Sequence, residues 1–235
     1  MVLRMRTIPF FLMLAAAAPA AAAERRYSVT DFDRVQVDGP YYVTLSTGGS
    51  SQAVATGDQA AIDRVLVDVQ GRTLRIRPNP SAWGSARNAS TGLVHLTLSA
   101  RGLRSASVVG AGSLEIDRVR GLRVDLGVSG NGRLSVGSVE VDTLGVALVG
   151  SGTLQMSGKA KIVRATISGT GDFDGEALQT DDLELSTSTS GSVAISAIRK
   201  ARVTALGRGD VEVLGTPACT VTGPAAGQVR CGKQP

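Results

Sequence analysis

Apolar and polar residues alternate along most of this chain, and the alternation is clearest between residues 105 and 215. In the segment LRVDLGV (122–128), which begins with Leu122, every second residue is apolar and polar residues stand between. Side chains at every second position of an extended chain lie on one face, so this pattern predicts half-buried β-strands. The spacing of three and four residues that marks an amphipathic helix is missing from this part of the sequence. The pattern therefore predicts an all-β fold.

A Gly-x-Gly pair recurs between these strands at a nearly constant interval, as in VVGAGSLEI (108–116) and LVGSGTLQM (148–156). The second glycines are 18 to 20 residues apart, and the residue two positions after each is apolar. The next inward position is apolar as well, with Gly175 as the one defect. Sharp turns often require positive φ, which glycine adopts without a Cβ penalty. We predict turns at Gly110, Gly112, Gly130, Gly132, Gly150, Gly152, Gly169, Gly171, Gly191, Gly207 and Gly209.

One repeat of about 20 residues cannot bury its own apolar face, but stacked repeats place leucine on leucine and valine on valine. The sequence therefore predicts a β-solenoid, with the parallel β-helix as its form. A dinucleotide-binding fingerprint requires a third glycine and a helix that begins at the phosphate. Each pair here is followed by another strand, so the glycines are interpreted as turns and no cofactor is expected.

The segment 27–92 lacks the repeat but also reads mostly as strands, separated by Gly39-Pro40 and by a Pro/Gly/Ser-rich loop at 78–92. Asp58 is suited to begin a short helix that extends to about Val67. Because the end of a solenoid exposes strand edges, we expect this segment to form a cap on the first coil. The repeat coils then span 93–216.

The two ends of the chain indicate export. Residues 1–23 combine a basic start, an apolar stretch and a small-residue cleavage site, which is the layout of a secretory signal peptide. The mature domain would span 24–235, and no later segment predicts a membrane span. Cys219 and Cys231 are expected to form a disulfide that closes the C-terminal segment 217–235.

The net charge is +5 for the whole chain, only 3% of residues are aromatic, and basic residues alternate with acidic ones. Proteins that bind nucleic acid usually carry a basic stripe with interleaved aromatic residues. Nucleic acid is therefore not an expected partner.

The chain resembles a known family over residues 27–216. It opens with Phe32, then the pattern V-x-V-x-G from Val35, and then V-x-L from Val43. GDQAAIDRVLVDVQGRTLRIRP (57–78) and the glycine-paired coils follow. This combination is similar to the head GIN domain family of autotransporter adhesins. The resemblance implies a right-handed parallel β-helix and a location in the periplasm or at the cell surface.

Four groups of residues are candidates for chemistry, and each has a structural interpretation. His95, the only histidine, is expected to be a solvent-facing strand residue. Asp172, Asp174 and Glu176 are interpreted as a solvated turn and not as a metal site. The third group is the pairs Asp181-Asp182 and Arg199-Lys200, which we do not expect to share a common row of stacked positions across the coils. The fourth is the hydroxyl-rich stretch 186–192, which is interpreted as an exposed strand.

These observations predict an exported, non-enzymatic β-solenoid with a structural, adhesin-like or interaction role at the cell envelope. Its partner would be a protein or a glycan, and neither its identity nor the oligomeric state follows from the sequence. The alternative is a β-helix enzyme, or a binding protein, that acts on envelope polysaccharide. A third hypothesis, a small-molecule carrier, requires a hollow interior, which stacked Leu, Val and Ile side chains would fill.

Overall fold

The computed structural model describes residues 23–82 and 92–232, and these form one continuous 17-stranded sheet. The predicted signal peptide lies outside the described residues, apart from Ala23, and so does most of the loop at 78–92. The N-terminal elements are β1 (Ala23–Tyr27), β2 (Arg34–Asp38), β3 (Tyr42–Thr47), β4 (Gln52–Gly57), α1 (Gln59–Ile62), β5 (Val65–Gln70), β6 (Thr73–Pro78), a 3₁₀ turn (Pro80–Ala82) and β7 (Val94–Ala100).

The second part of the chain is built from longer strands. Its elements are β8 (Ser105–Gly110), β9 (Ser113–Ile116), β10 (Val119–Gly130), β11 (Arg133–Gly150), β12 (Thr153–Gly169), β13 (Asp172–Thr189), β14 (Val193–Ala205), β15 (Val211–Gly215), β16 (Ala218–Thr222), a 3₁₀ turn (Ala226–Gln228) and β17 (Val229–Cys231).

Successive long strands pair in parallel, so that each coil lies on the one before it. Leu134 pairs with Leu114 on one side and with Leu154 on the other, and Leu148 pairs in the same way with Val128 and Ile167. The chain makes about six turns of about 20 residues each. The predicted β-solenoid is confirmed.

The interior of the coils is filled by side chains. Leu134, Leu144, Leu148 and Leu154 are all fully buried, with 0% exposure. The predicted defect at Gly175 is occupied by its neighbour, because the ring of Phe173 lies 3.0 Å from where a Cβ of Gly175 would be. The stacked side chains therefore occupy the interior of these coils.

The sequence predicts that the N-terminal strands cover the first coil, but two of them lie inside the stack. Strand β2 lies between β6 and β8, and β3 lies between β7 and β9. Strands β2 and β3 therefore form an inner layer, and β6 and β7 form the layer outside it. Antiparallel strands then close this end, with β4 on β7, β1 on β4 and β5 on β6.

The short helix begins as predicted and ends earlier. Asp58 caps it by accepting hydrogen bonds from the N–H groups of Ala60 and Ala61. The predicted extension to Val67 is wrong, since α1 stops at Ile62 and residues 65–70 form β5. The alternating VLVDV sequence there places Val65 and Val67 on the buried face of the antiparallel ladder with β6.

Candidate functional site

A groove of about 550 Å³ lies at the corner where the N-terminal layers meet the repeat coils. Five arginines and two carboxylates line it, and two further carboxylates, Asp125 and Glu140, contact two of these arginines from beside the groove. The arginines are Arg72, Arg101, Arg104, Arg120 and Arg123, and the carboxylates are Asp31 and Asp33. The arginine side chains are 64–76% exposed, so they present their charge to solvent. We call this feature the arginine groove.

Asp33 contacts two of the arginines of the arginine groove, Arg72 and Arg104, through both its backbone and its side chain. Its backbone N–H donates to the carbonyl of Arg72 (3.1 Å), and its own carbonyl accepts from the N–H of Arg104 (2.7 Å). The three residues therefore lie in three successive layers. The Asp33 side chain is only 12% exposed, and its Oδ2 lies 2.9 Å from Nε of Arg72 and 3.4 Å from Nε of Arg104. One buried carboxylate thus holds two guanidinium groups together, which offsets their mutual repulsion.

The other three arginines are also held by carboxylates. Nη1 of Arg101 lies 3.7 Å from Oδ2 of Asp31, and Nε of Arg120 lies 2.7 Å from Oε2 of Glu140. Arg123 donates from both Nε and Nη2 to Asp125, at 3.3 Å and 3.2 Å. Each guanidinium is oriented by an ion pair and still keeps N–H groups that these contacts do not use.

Four of these arginines come from one tetrapeptide that occurs twice. Arg-Gly-Leu-Arg stands at 101–104 and again at 120–123. The two copies are out of register by one residue. Ser105, the first residue after the first copy, pairs with Asp125, which is the second residue after the second copy. Such a shift exchanges the inner and outer faces. Leu103 is accordingly buried (3% exposed), whereas Leu122 is 79% exposed at the groove. The expectation that Leu122 belongs to the alternating inward face is wrong.

The predicted turn glycines lie at the coil corners. Gly110, Gly130, Gly150 and Gly169, the first glycines of their pairs, have φ between +84° and +116°. The residue between the glycines is exposed in every pair. The second glycines have no positive φ, but a Cβ there would meet the preceding coil, as at Gly132, where it would lie 2.7 Å from the carbonyl oxygen of Gly112.

The fifth and sixth corners differ from the first four. Thr189 stands in place of the first glycine of the fifth pair, and no residue other than glycine has positive φ in the described chain. Its hydroxyl accepts from the N–H of Gly191 (2.9 Å) and lies 3.3 Å from the carbonyl oxygens of Gly169 and Gly171. A side-chain hydroxyl here satisfies the backbone of the corner. Gly207 also lacks positive φ, and a Cβ there would contact the backbone of Thr189.

Cys219 and Cys231 lie at disulfide distance, with their Cα atoms 6.4 Å apart. Cys219 continues the row of Ala201, and Cys231 continues the row of Val213; both of these residues are buried in the preceding coil. The two cysteines therefore occupy inward positions of the final coil, where no further coil follows among the described residues.

His95 faces solvent on β7, as expected. Its ring stacks on that of Tyr42 in the neighbouring strand β3, with the ring centroids 5.4 Å apart. Among the described residues, no group of three or more His, Cys, Asp or Glu side chains is arranged to hold a metal ion.

The prediction of a turn at Asp172, Asp174 and Glu176 is wrong, because all three lie in strand β13, where hydrogen bonds between coils hold the cluster. Asp172 accepts from both the N–H and the hydroxyl of Ser192, each at 2.8 Å, and these bonds lower the pKa of its carboxyl. Asp174 accepts from the side chain of Gln155 (3.1 Å) and from the N–H of Glu176 (3.3 Å). The cluster thus ties neighbouring coils together at the surface.

The expectation that the acidic and basic pairs share no row is wrong. Asp182 pairs directly with Lys200 in adjacent strands, and Arg199 contacts Asp182 at 2.9 Å and Asp181 at 3.9 Å. The charges neutralise each other in ion pairs on the surface.

The hydroxyl-rich stretch 186–192 is not an exposed strand throughout. Thr187 and Thr189 are buried (2% each), while Ser188 and Ser190 face outward. Because side chains alternate between the two faces, exposed hydroxyls align across coils and not along the chain, as in the row Thr166, Ser186, Thr204 and Thr222.

No helix in the described part of the chain is long and apolar enough to cross a membrane.

Comparison with known proteins identifies the family. Residues 31–217 match the family model described as "Putative auto-transporter adhesin, head GIN domain". The chain belongs to this family. The matched range includes the arginine groove and all of the glycine-paired coils, and the resemblance expected from the sequence is confirmed. No curated protein matches the chain.

Solved structures from Bacteroides and Parabacteroides species have a similar fold. A "putative adhesin" from Bacteroides fragilis superposes with a TM-score of 0.78 at 19% identity, covering 91% of this head GIN chain and 94% of its own. A "Putative lipid binding protein" from Parabacteroides distasonis gives 0.70 at 19% identity, covering 92% and 98%. A "putative adhesin" from Parabacteroides merdae gives 0.70 at 18% identity with the same coverage. At this level of identity, the three structures bear on the fold of the head GIN domain alone.

Proposed function

We propose that this head GIN protein is an exported, non-enzymatic binding module with an adhesin-like role at the cell envelope. The observation that carries the proposal is the arginine groove, a concave surface lined by five arginines, built where two differently organised parts of the fold meet. Five oriented guanidinium groups suit recognition of an anionic partner. The filled coils behind the groove give it a rigid support.

Export is supported by two features. The first 23 residues have the composition of a secretory signal, and the cysteine pair at disulfide distance suits an oxidising compartment. A periplasmic or surface location also agrees with the adhesin description of the family.

The absence of catalysis is supported by how the charged groups are used. A general acid or base must exchange a proton with a bound substrate. In the arginine groove, Asp31 and Asp33 are both engaged with arginines, and Asp33 is nearly buried. Asp182 is likewise paired with Arg199. These carboxylates orient cations, a role that suits binding.

The test has two arms that use the full-length protein expressed in a bacterial host. Fractionation followed by N-terminal sequencing should find the protein outside the cytoplasm, with a new N-terminus at Glu24. The purified protein should then adhere to isolated cell envelopes and release no new reducing ends from envelope polysaccharide. Retention in the cytoplasm, or release of sugar fragments by the purified protein, would overturn the proposal. Fragment release would favour the polysaccharide-degrading alternative.

A further inference from the structure

We propose that the arginine groove binds an acidic polysaccharide, one whose sugars carry carboxylate or sulfate groups beside free hydroxyls. This inference rests on the proposed function as a binding module and names its ligand class. Three properties of the groove support it: the arrangement of its donors, its extent across the coils, and its mixture of cations with acceptors.

The first property is that the guanidinium groups are oriented and still able to donate. Arg72, Arg104 and Arg120 each use Nε in their ion pairs, which leaves both Nη groups outside those contacts. Paired Nη–H groups match the oxygens of a carboxylate or a sulfate, and such charge-assisted bonds are stronger than neutral ones. Since both Arg72 and Arg104 are held by Asp33, little side-chain freedom remains to be lost on binding.

The second property is the extent of the charge. Arg72 and Arg104 lie on either side of Asp33 in the stack, and Arg123 lies one layer further, because Ser105 pairs with Asp125. At about 4.8 Å per layer, the positive charge extends over about 14 Å. A single small anion would engage only one end of this surface. A polymer with repeated anionic groups would engage all of it.

The third property distinguishes an acidic sugar from an acidic peptide. Asp31 is 54% exposed in the groove and accepts a hydrogen bond from the hydroxyl of Ser51 (2.9 Å). An exposed carboxylate among arginines is useful to a ligand that brings hydroxyl donors as well as negative charges. Acidic sugars bring both, whereas the ionised side chains of an acidic peptide bring acceptors alone. The exposed Leu122 beside these groups can pack against the C–H face of a sugar ring.

The experiment compares two double variants with the same change in charge. R72Q/R104Q removes the arginines held by Asp33. R164Q/R202Q is the matched control, because Arg164 and Arg202 flank Glu184 on another face of the coils at similar exposure. Binding of the full-length protein and both variants is measured to polygalacturonate, to dextran sulfate and to neutral dextran. Polyglutamate and phosphatidylglycerol vesicles are included as other anionic surfaces.

The expected result is binding to polygalacturonate or dextran sulfate by the unchanged protein and by R164Q/R202Q. The two polymers decide whether carboxylate or sulfate is preferred. R72Q/R104Q should bind about tenfold more weakly or worse, because charge-assisted contacts are lost. Binding should also weaken as salt rises from about 0.1 M to about 1 M, where the Debye length falls from about 10 Å to about 3 Å.

Several results would overturn the inference: equal loss of binding in both double variants, binding only to polyglutamate or to vesicles, or no binding to any acidic polysaccharide. Adhesion of R72Q/R104Q to isolated envelopes is measured in parallel. If that adhesion persists while acidic polysaccharides are not bound, the ligand assignment fails and the adhesin-like function stands. Should R72Q/R104Q fold poorly by circular dichroism, R101Q/R120Q provides a second test of the same groove.

Discussion

Residues 119–205 and residues 23–118 both stack strands over a continuous row of buried side chains, but they differ in how the stacked layers follow one another along the chain. In the first region, neighbours in space are also neighbours in the repeat, as with Leu154 between Leu134 and Phe173. In the second region, Val35 lies between Leu74 and Ala106, which come from distant parts of the chain. The buried ladder is continuous across both regions. What differs is the order in which the chain supplies its layers.

This difference teaches where a solenoid can acquire a binding site. A strictly repeating region places equivalent residues on every coil, and its surface charges pair along rows, as Arg164 does with Glu184. Where the layers come from unrelated segments, adjacent corners carry unrelated side chains. The alternation of Arg72, Asp33 and Arg104 arises in this way. The arginine groove accordingly lies at the boundary between the two regions.

The prediction with the largest expected effect on the free energy of unfolding concerns whether the two regions unfold as one cooperative unit. Leu45 and Leu134 are both fully buried, and each has a stacking neighbour on both sides. We expect Leu45→Ala and Leu134→Ala each to lower the free energy of unfolding by about 3–5 kcal/mol. Because β2 and β3 lie inside the stack, neither region can unfold without exposing the other.

Unfolding in urea can be followed with two probes that report on different parts of the protein. Tyr27, Tyr41 and Tyr42 are the only tyrosines of the sequence, so tyrosine fluorescence reports on the N-terminal region. Far-UV circular dichroism reports on the whole sheet. The two transitions should coincide in both variants. An earlier fluorescence transition in Leu45→Ala would mean that the N-terminal region is a separable cap.

The second prediction concerns a corner of the regular region. Gly150 has φ of +114°, and an added Cβ would contact the carbonyl oxygen of Gly130 in the preceding coil. Gly150→Val should therefore lower the free energy of unfolding by about 3 kcal/mol. Ser151→Val is the matched control, because Ser151 is the exposed residue of the same corner. Equal melting temperatures for the two variants would contradict the role of Gly150.

Much of the regular region was predictable from the sequence, since alternation and a period of about 20 residues determine both the inward face and the stacking partner. The N-terminal layer order was not, because a pairing such as that of Val35 with Ala106 leaves no period in the sequence. The arginine groove was missed for the same reason. The repeated Arg-Gly-Leu-Arg was a visible signal, but its meaning depends on a one-residue shift that only the register reveals.

The third prediction compares the two ends of the stack. The N-terminal end is closed by antiparallel strands, whereas the C-terminal coil relies on the short strands β16 and β17 and the cysteine pair. Cys219→Ser/Cys231→Ser should lower the free energy of unfolding by about 2 kcal/mol. Hydrogen exchange should quicken mainly in residues 218–231. Equal quickening in β1 and β4 would show that the disulfide acts on the whole protein and not on its own end.

The smallest effect concerns one contact between coils of the regular region. The N–H and the hydroxyl of Ser192 both donate to Asp172. These two hydrogen bonds, the N–H bond more than the hydroxyl bond, hold the pKa of Asp172 below its usual value. A lowered folded-state pKa contributes stability above the unfolded-state pKa of about 4, and this is lost as the pH falls through the folded value. Asp172 is exposed, so the contribution should be well under about 1 kcal/mol.

Carboxyl-detected NMR titration measures this contact directly. Ser192→Ala removes the hydroxyl donor and keeps the N–H donor, so the pKa of Asp172 should rise part of the way towards its usual value. Ser113→Ala is the control, since Ser113 occupies the position equivalent to Asp172 in an earlier coil. If Ser192→Ala left the titration of Asp172 unchanged, the hydroxyl would carry none of the shift. The backbone N–H, which any residue supplies at this corner, would then account for the contact between these coils.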